Sequence, residues 1–455
     1  MAVKVARALA SLALQLKAEV EESANQKLIR QCLIDAAAAA AGGCDSSAAR
    51  MATQFAAESL GSGSMQAWFG DTTGLNALGA AFVNSSAMSA LDVDDGNRSA
   101  RGHLGAAVIP AAVAYGARAG VSSATFAHAV LAGCEIGARL GAAEAPPFSA
   151  SGRWAGVGAA ISTGICLSLN EAMLENAISL AVHSAPMLGP AGSRIQMTGH
   201  IKEGVPFGLL SGVTSALLAA QGYRGDPDAI ESTGIYDVHQ LELSPRGTLA
   251  FGRTYFKQYT CCRLAHAPID AAVTIVQREG LAMEDVDQIT IRTFRTAIDL
   301  PNEARPSSFE SAQFSLPFAV AAALVRGKEA LLPLESAMLD DPRVIGLAER
   351  IALEHAPELD PLYPSATPTC VLIRTRGGQS YREQRDTADG DPSRSFTDAQ
   401  LLGKLEVLAH GKVARERVIA IGLLLRQKVP SPSAYANALE GGASHGDALS
   451  PVLAR

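Results

Sequence analysis

Hydrophobic residues in the first 270 positions recur at helical spacing, in one amphipathic segment after another. The segment "NQKLIRQCLIDAAAAAAGG" is apolar at helical intervals and ends at a glycine pair, which is typical of a helix C-terminus. "SSATFAHAVLAGCEIGARLG" begins with serines suited to an N-cap, and "EAMLENAISLAVHS" has the same period. Alternating, strand-like patterns are rare in this part of the sequence. We therefore expect a large helical body.

The pattern changes near residue 270. Ile289 and Ile291 alternate with polar residues, which predicts a half-buried strand. "TPTCVLIRTRGGQSYREQRD" contains two alternating runs separated by Gly377 and Gly378, which predicts a β-hairpin. Helical patterns lie between these segments and return after them. This part of the chain is therefore expected to form an α+β module.

These elements predict a mainly α protein with two domains, in keeping with a chain of 455 residues that is long for one core. Residues 1–270 and 400–455 are expected to form a large all-helical domain, and residues 271–399 a smaller, inserted α+β lid domain. The tail from about residue 428 is rich in Gly, Pro and Ser, so we expect it to be loosely held.

Composition narrows the possible partners. The net charge is −7 and the pI is about 5.8, and no block of lysine and arginine occurs, so nucleic acid and membrane surfaces are not expected partners. Seven cysteines are scattered along a long chain, which suits a reducing compartment. Arg7 and Lys17 interrupt the first apolar run at amphipathic spacing, which favours a helix over a signal peptide. We expect a soluble, cytoplasmic protein.

The first chemically rich stretch is "LDVDDGNRSARGHLGAAVIP", residues 91–110. It places Asp92, Asp94, Asp95 and His103 directly before a long apolar helix. Such a turn is compatible with simple solvation, because buried carboxylates without partners are costly. The acids, bases and amide that this one loop offers together also favour a catalytic site, since catalytic groups are often carried on loops of a rigid scaffold.

Two further clusters follow. Lys202 precedes an apolar helix, whose dipole would lower the pKa of a nearby ammonium group and so suit it to act as a base, although an exposed lysine would be little affected. In "YFKQYTCCRLAHAPIDA", Arg263 and His266 are suited to holding a carboxylate. Adjacent Cys261 and Cys262 lack the spacing of a zinc site, so we expect no metal, and no nucleotide-binding motif occurs.

These stretches together resemble the MmgE/PrpD family, which includes 2-methylcitrate dehydratase, cis-aconitate decarboxylase and iminodisuccinate epimerase. The resemblance covers nearly the whole chain and is carried by segments in the expected order. These segments are "AAFVNSSAMSALDVDD", "HLGAAVIPAAVA", "AVLAGCEIGARLG", "LLAAQGYRG", "YFKQYTCCRLAHAPIDA" and "QFSLPFAVAAALVRG".

The resemblance implies a helical domain built from both ends of the chain, an inserted lid, and an active site between them that uses no metal or organic cofactor. By position, it implies that Asp92, His103, Lys202 and His266 are cleft residues or their close neighbours.

The chain also departs from the family pattern. In "PPFSASGRWAGVGAA", Ser149 lies nearest the position of a histidine in the decarboxylase branch, and Arg153 is a candidate carboxylate anchor. "GHIKEG" replaces the common "K-R-L-H-A-G", so that Lys202 stands where a histidine is usual. The branch's lid tyrosine corresponds to Phe318. These substitutions argue against cis-aconitate decarboxylation and indicate a distinct branch.

The resemblance and the residue types together predict a cofactor-independent lyase of the dehydratase type, acting on a small di- or tricarboxylic acid. Proton loss beside a carboxylate creates an enediolate-like charge, which cations and hydrogen bonds must stabilise. An epimerase or isomerase of a similar acid, and a non-catalytic binding homologue, are the alternatives. The apolar helical body and the resemblance also predict a homodimer.

Overall fold

The computed structural model describes residues 4–145, 151–186, 199–244 and 248–441, which are mainly helical as predicted. The helices are α1 Val5–Gln15, α2 Ser23–Gly43, α3 Ser47–Ser59, α4 Ala77–Ala90, α5 Gly105–Ala119, α6 Ser123–Ala143, α7 Ser151–Cys166, α8 Glu171–Ser184, α9 Val205–Ala220, α10 Ala229–Ser232, α11 Arg263–Glu279, α12 Arg295–Ile298, α13 Phe309–Gln313, α14 Leu316–Arg326, α15 Pro342–Ala348, α16 Asp398–Ala409, α17 Arg415–Leu424 and α18 Pro432–Glu440. The strands are β1 Ser62–Met65, β2 Gly96–Asn97, β3 Thr254–Tyr255, β4 Val286–Thr293, β5 Ile351–His355, β6 Thr369–Thr375 and β7 Ser380–Arg385.

Short polar side chains fix the beginnings of several helices. Ser46 accepts a hydrogen bond from the backbone of Ala49 at the start of α3, and Asn76 does the same from Gly79 at the start of α4. Each cap satisfies one of the backbone N–H groups that a helix N-terminus leaves unpaired. The sequence pattern and these local hydrogen bonds therefore specify the same elements.

Glycines set the spacing of helices α7 and α9. A Cβ atom added to Gly208 would overlap the carbonyl oxygen of Gly152, and one added to Gly212 would overlap that of Gly156. These contacts bring the two backbones closer together than larger side chains would allow. We call this contact the glycine seam. The glycine seam ends at the candidate site, because α7 and α9 both begin beside that site.

The predicted strand and hairpin are confirmed in a four-stranded sheet of order β5-β4-β6-β7. β4 pairs parallel with β5 and antiparallel with β6, and β6 pairs antiparallel with β7. Gly378 has a φ of 84° at the turn between β6 and β7, a conformation that favours glycine. Helix α11 packs against β6, β7 and α14, so that one face of the sheet is covered.

The described residues contain two buried apolar clusters. One is built from the helical body and includes Leu401, Leu405 and Tyr435 from the C-terminal helices. The other surrounds the four-stranded sheet, and Tyr259 is its first member along the chain. The division of the chain at residues 270 and 400 stays a prediction. Among the described residues, no helix combines the length and apolar character needed to cross a bilayer.

The expectation of a loosely held tail is wrong for residues 428–441. Pro432 occupies the first turn of α18, where its missing N–H costs nothing, and Ser431 caps the helix. Tyr435 is fully buried, and its hydroxyl donates to the carbonyl of Leu33 at 2.5 Å. The Pro/Ser content that suggested a loose tail instead starts a helix. Residues 442–455 lie outside the described part.

Candidate active site

The acidic loop after α4 is held by a short ladder to a distant segment. Asp92 has a φ of 52°, a left-handed conformation that turns the chain sharply. β2 then pairs with β3, with Gly96 opposite Tyr255. The Tyr255 ring occupies the space that a Cβ atom at Gly96 would need. This pairing brings the loop at residues 91–104 beside Lys257.

Asp94 and His103 form a buried pair. Nδ1 of His103 lies 3.0 Å from Oδ2 of Asp94 and 3.0 Å from the carbonyl oxygen of Asp95, and Nε2 lies 3.5 Å from Oδ1 of Asp92. Burial alone would lower the pKa of His103, but the charge and hydrogen bond of Asp94 outweigh it and raise this pKa to about 9. The imidazole is therefore protonated at neutral pH.

Lys257 compensates the charge of Asp92. Its ammonium lies 2.9 Å from Oδ2 of Asp92 and donates to the Asp92 carbonyl at 2.7 Å. Burial would lower the pKa of Lys257, but the charges of Asp92, Tyr255 and Asp94 raise it above its usual range. Lys257 thus carries a permanent positive charge next to His103.

A cavity of about 220 Å³ opens beside these groups. His103 and Asp92 line it, and so do four other cationic side chains, Arg98, Arg101, Lys257 and Arg263. Glu203 and Asp299 contribute carboxylates to the same wall, and Tyr363 contributes a phenol ring. The cavity therefore combines proton-transfer groups with several positive charges, an arrangement suited to binding a small anionic molecule.

Two of these guanidinium groups are fixed by the same neighbours. The Cζ atoms of Arg98 and Arg263 lie 5.1 and 5.0 Å from the centroid of the Tyr255 ring. Both groups approach Oδ2 of Asp391, Arg98 in a short ion pair and Arg263 at 3.5 Å. Arg263 also donates to the carbonyls of Ala388 and Asp389 at 3.0 and 2.8 Å. Arg263 thus uses several of its N–H groups in hydrogen bonds within the protein.

Lys202 is buried behind His103. Its ammonium donates to the carbonyl of Ala90 at 2.8 Å and to Oε1 of Gln313 at 2.5 Å. Burial lowers the pKa of Lys202. The sequence predicted this direction but attributed it to the helix dipole. Lys202 borders a narrow gap shared with Asp92, Asp94 and His103, and a second cavity of about 780 Å³, but it lies outside the wall of the 220 Å³ cavity.

The remaining predicted site residues are placed differently. His266 is buried, its Nε2 lies 3.2 Å from the carbonyl oxygen of Cys261, and burial lowers its pKa well below the usual range. Arg153 is fully buried and donates to Glu144. His266 and Arg153 do not line the cavity. Phe318 does not line it either, because it packs in the apolar cluster around the four-stranded sheet. Ser149 lies outside the described residues. The functional roles predicted for these residues stay predictions.

Sequence reasoning missed several wall residues. Lys257 lies in the segment "YFKQYTCCRLAHAPIDA", and Arg98 and Arg101 lie in residues 91–110. Both segments were chosen from the sequence, so these three cations could have been named as candidates. Glu203 directly follows Lys202. Tyr363 comes from a part of the chain without any comparable motif. Its ring stacks on Phe294, with centroids 4.8 Å apart.

Asp92, Asp94 and His103 also have the donor types of a metal site, with ligand atoms within 4.8 Å of one another. The contacts of these atoms weigh against a resident cation. The Lys257 ammonium already lies against Asp92, and Nδ1 of His103 is directed at Asp94. A metal ion would have to compete with the lysine for the same carboxylate.

Comparison with known proteins identifies the family of the chain. The sequence profile of the MmgE/PrpD N-terminal domain matches residues 7–244, and that of the MmgE/PrpD C-terminal domain matches residues 259–425. The chain belongs to the MmgE/PrpD family. The site lies at the meeting of these two matched parts, because Asp92 and His103 come from the first and Arg263 from the second.

Curated members of the MmgE/PrpD family resemble the chain over most of its length. A cis-aconitate decarboxylase of Aspergillus terreus (strain NIH 2624 / FGSC A1156) is 25% identical over 383 residues, covering 76% of this chain and 77% of the relative. A cis-aconitate decarboxylase of Mus musculus is 24% identical over 368 residues, covering 74% and 73%. Together, these MmgE/PrpD relatives support lyase chemistry on a carboxylic acid.

Proposed function

We propose that this MmgE/PrpD protein is a lyase of the dehydratase type that acts on a small di- or tricarboxylic acid without an organic cofactor or metal. The observation that carries the proposal is the position of His103, held at Nδ1 by Asp94, in the wall of a cavity lined by four other cations. The pair supplies a directed proton, and the cations supply affinity for carboxylates.

His103 is suited to act as a general acid. Its raised pKa of about 9 keeps the imidazole protonated near neutral pH. A leaving hydroxyl group needs a proton as its bond to carbon breaks, and a positioned side chain provides it. Asp94 fixes the orientation of the ring through Nδ1, and Nε2, which lies 3.5 Å from Oδ1 of Asp92, is the nitrogen that we assign to the substrate.

The cations are suited to stabilise the negative charge that forms during elimination. Lys257 and Arg98 are fixed by Asp92 and Asp391, so they need little rearrangement when the charge develops. Arg101 donates to the carbonyls of Gly141 and Glu144, which keeps its side chain at the wall. The volume of about 220 Å³ suits a small acid, because pockets for drug-sized ligands are larger, roughly 300–1,000 Å³.

Proton NMR in heavy water tests this proposal with a panel of hydroxy, amino and unsaturated polycarboxylates. A dehydratase converts a hydroxy acid to its alkene and incorporates deuterium in the reverse direction. Exchange with inversion but no elimination would identify an epimerase, and release of carbon dioxide would identify a decarboxylase. Either of those results, or no turnover of any acid, would overturn the proposal.

The variant His103→Gln links the activity to this site. Its turnover is expected to fall by ~100-fold or more, the usual contribution of a positioned proton donor. His355→Gln is the matched control, because His355 lies on β5, pairs with Asp360 and does not line the cavity. Equal losses in both variants would assign the effect to folding and contradict the role of His103.

We also propose that the protein is a homodimer through its helical part. Met51, Phe55 and Phe207 are 51%, 45% and 46% exposed and line one groove. Exposed apolar surface of this kind favours association. Sedimentation velocity is expected to show a dimer that Phe207→Asp weakens and Leu423→Asp, on the exposed face of α17, does not. A monomer at micromolar concentration would contradict this proposal.

A further inference from the structure

We propose that Glu203 is the catalytic base that removes the proton next to the substrate carboxylate, and that Ser151 positions it. The inference rests on the proposed function and names the partner that His103 needs. Glu203 lines the same 220 Å³ cavity as His103 and Arg101. Lys202, the base expected from the sequence, is engaged with Ala90 and Gln313 instead.

A hydrogen-bonded chain links the backbone of His103 to the carboxylate of Glu203. The backbone N–H of His103 donates to Oγ of Ser151 at 3.0 Å, and the Ser151 hydroxyl donates to Oε2 of Glu203. Gly102 makes this contact possible, because a Cβ atom there would overlap Oγ of Ser151 and crowd Glu203. The serine thus fixes one carboxylate oxygen and leaves the other, Oε1, for the substrate.

The glycine seam fixes the backbone of Glu203. The N–H of Gly152 donates to the carbonyl of Glu203 at 2.9 Å, at the point where α7 and α9 begin. Gly204 follows with a φ of 71°, which glycine adopts readily and which turns the chain into α9. Glu203 is therefore placed by backbone contacts on both sides, as a group that must meet a substrate atom should be.

The charges around Glu203 fit the role. Glu203 is among the groups whose charge raises the pKa of His103, so the two side chains are close enough to interact. One cavity wall therefore presents a carboxylate that can accept a proton and an imidazolium that can donate one. A positioned base and a positioned acid on one wall are typical of general acid–base catalysis.

In the proposed elimination, Glu203 removes a proton from the substrate and His103 supplies one. Oε1 of Glu203 takes the proton from the carbon next to a carboxylate, and the C–H electron pair moves onto that carboxylate as an enediolate. The pair then forms the carbon–carbon double bond as the bond from the neighbouring carbon to its hydroxyl breaks. His103 gives its Nε2 proton to the departing hydroxyl, which leaves as water. Glu203 then releases its proton to solvent, and solvent reprotonates His103.

The variant Glu203→Gln tests the assignment on a substrate found in the NMR panel. Turnover and solvent deuterium exchange are both expected to fall by ~100-fold or more, because the amide accepts no proton. His103→Gln is expected to lose turnover but keep measurable exchange, since the base remains. Glu203→Asp should keep part of the activity, because a carboxylate is still present.

The matched control is Glu310→Gln. Glu310 is a partly buried carboxylate that borders the second cavity and lies 3.6 Å from His200. This variant is expected to turn over at the parent rate. Thermal unfolding of each variant separates loss of chemistry from loss of fold, and Glu203→Asp provides a second measurement if Glu203→Gln unfolds.

Ser151→Ala tests the positioning role. The carboxylate loses its hydrogen-bond donor, so kcat and solvent deuterium exchange should fall together while KM changes little. A Ser151→Ala variant with the kcat and the exchange rate of the parent would contradict this role for Ser151. An active parent with an equally active Glu203→Gln variant overturns the base assignment and leaves the proposed function standing. A parent inactive on every acid overturns both.

Discussion

Lys404 and Asp35 form a buried ion pair, with Nζ 2.5 Å from Oδ1, that joins α16 to α2. The same ammonium donates to the carbonyl of Val93 at 2.6 Å, directly before Asp94. The C-terminal part of the chain therefore holds the loop that carries the Asp94–His103 pair, although the two lie more than 300 residues apart in sequence.

Lys404→Met is expected to destabilise the protein by about 3–5 kcal/mol, because it leaves Asp35 buried without its counter-charge. The double variant with Asp35→Leu removes that charge as well and should recover much of the loss. Urea unfolding measures both. A single variant within about 1 kcal/mol of the parent would show that this pair contributes little, as exposed ion pairs do.

The activity is expected to fall as pH rises through about 9, where His103 loses its proton. Asp94→Asn removes the main cause of the raised pKa, so the alkaline limb should move to lower pH. The measurement is kcat/KM against pH for both proteins. If the alkaline limb lies at the same pH in the variant, the limb does not report the titration of His103.

The same titration affects stability. The folded pKa of His103 lies above the usual value near 6.5, so its stabilising contribution is complete below about pH 6.5 and is lost as pH rises to about 9. The free energy of unfolding should therefore decrease over that window. Asp94→Asn should flatten the decrease. A parent whose stability is constant from pH 6.5 to 9 would contradict the raised pKa.

Gly208→Ala is expected to destabilise the protein by about 1–3 kcal/mol and to lower turnover, because the new methyl group overlaps the Gly152 carbonyl and separates α7 from α9. Gly403→Ala is the control, since a methyl group there enters open space inside α16 and should stabilise by about 0.5–1 kcal/mol. Thermal unfolding compares them. Equal stabilities for the two variants would remove the seam as a packing constraint.

Activity is expected to survive chelators and thiol-blocking reagents. Lys257 lies against Asp92 where a cation would bind. Burial raises the pKa of Cys262, the thiol in the cavity wall, to about 12, so it is not a reactive thiolate near neutral pH. Assays after dialysis against chelator and after alkylation check both points. Loss of turnover that one added metal restores would reverse the first expectation.

The sequence predicted the helical architecture well because apolar periodicity and caps act locally. The sequence also indicated the two segments that meet at the site, "SGRW" and "KEG". Within them it indicated Arg153 and Lys202. The structure shows that Ser151 and Glu203 make the contact beside the cavity. Successive residues of a helix point about 100° apart, so an error of two positions at the start of α7 changes the face.

Backbone conformation explains why these residues could not be chosen beforehand. Lys202 has a φ of 45° in the turn before α9, and no residue pattern indicated that turn. Lys257 reaches Asp92 only through the pairing of β2 with β3, a contact between residues about 160 positions apart. Periodicity describes the face of an element and carries no information about such long-range partners.

The glycine seam also provides a way to recognise the same site in other genomes. A chain that keeps small residues at the positions of Gly152, Gly156, Gly208 and Gly212 can bring its helices close enough for a serine and a glutamate to bond at their ends. A chain with bulky residues there cannot, whatever its overall similarity. The four positions, taken with Ser151 and Glu203, thus form a search pattern that sorts relatives by the residues at this site rather than by overall similarity.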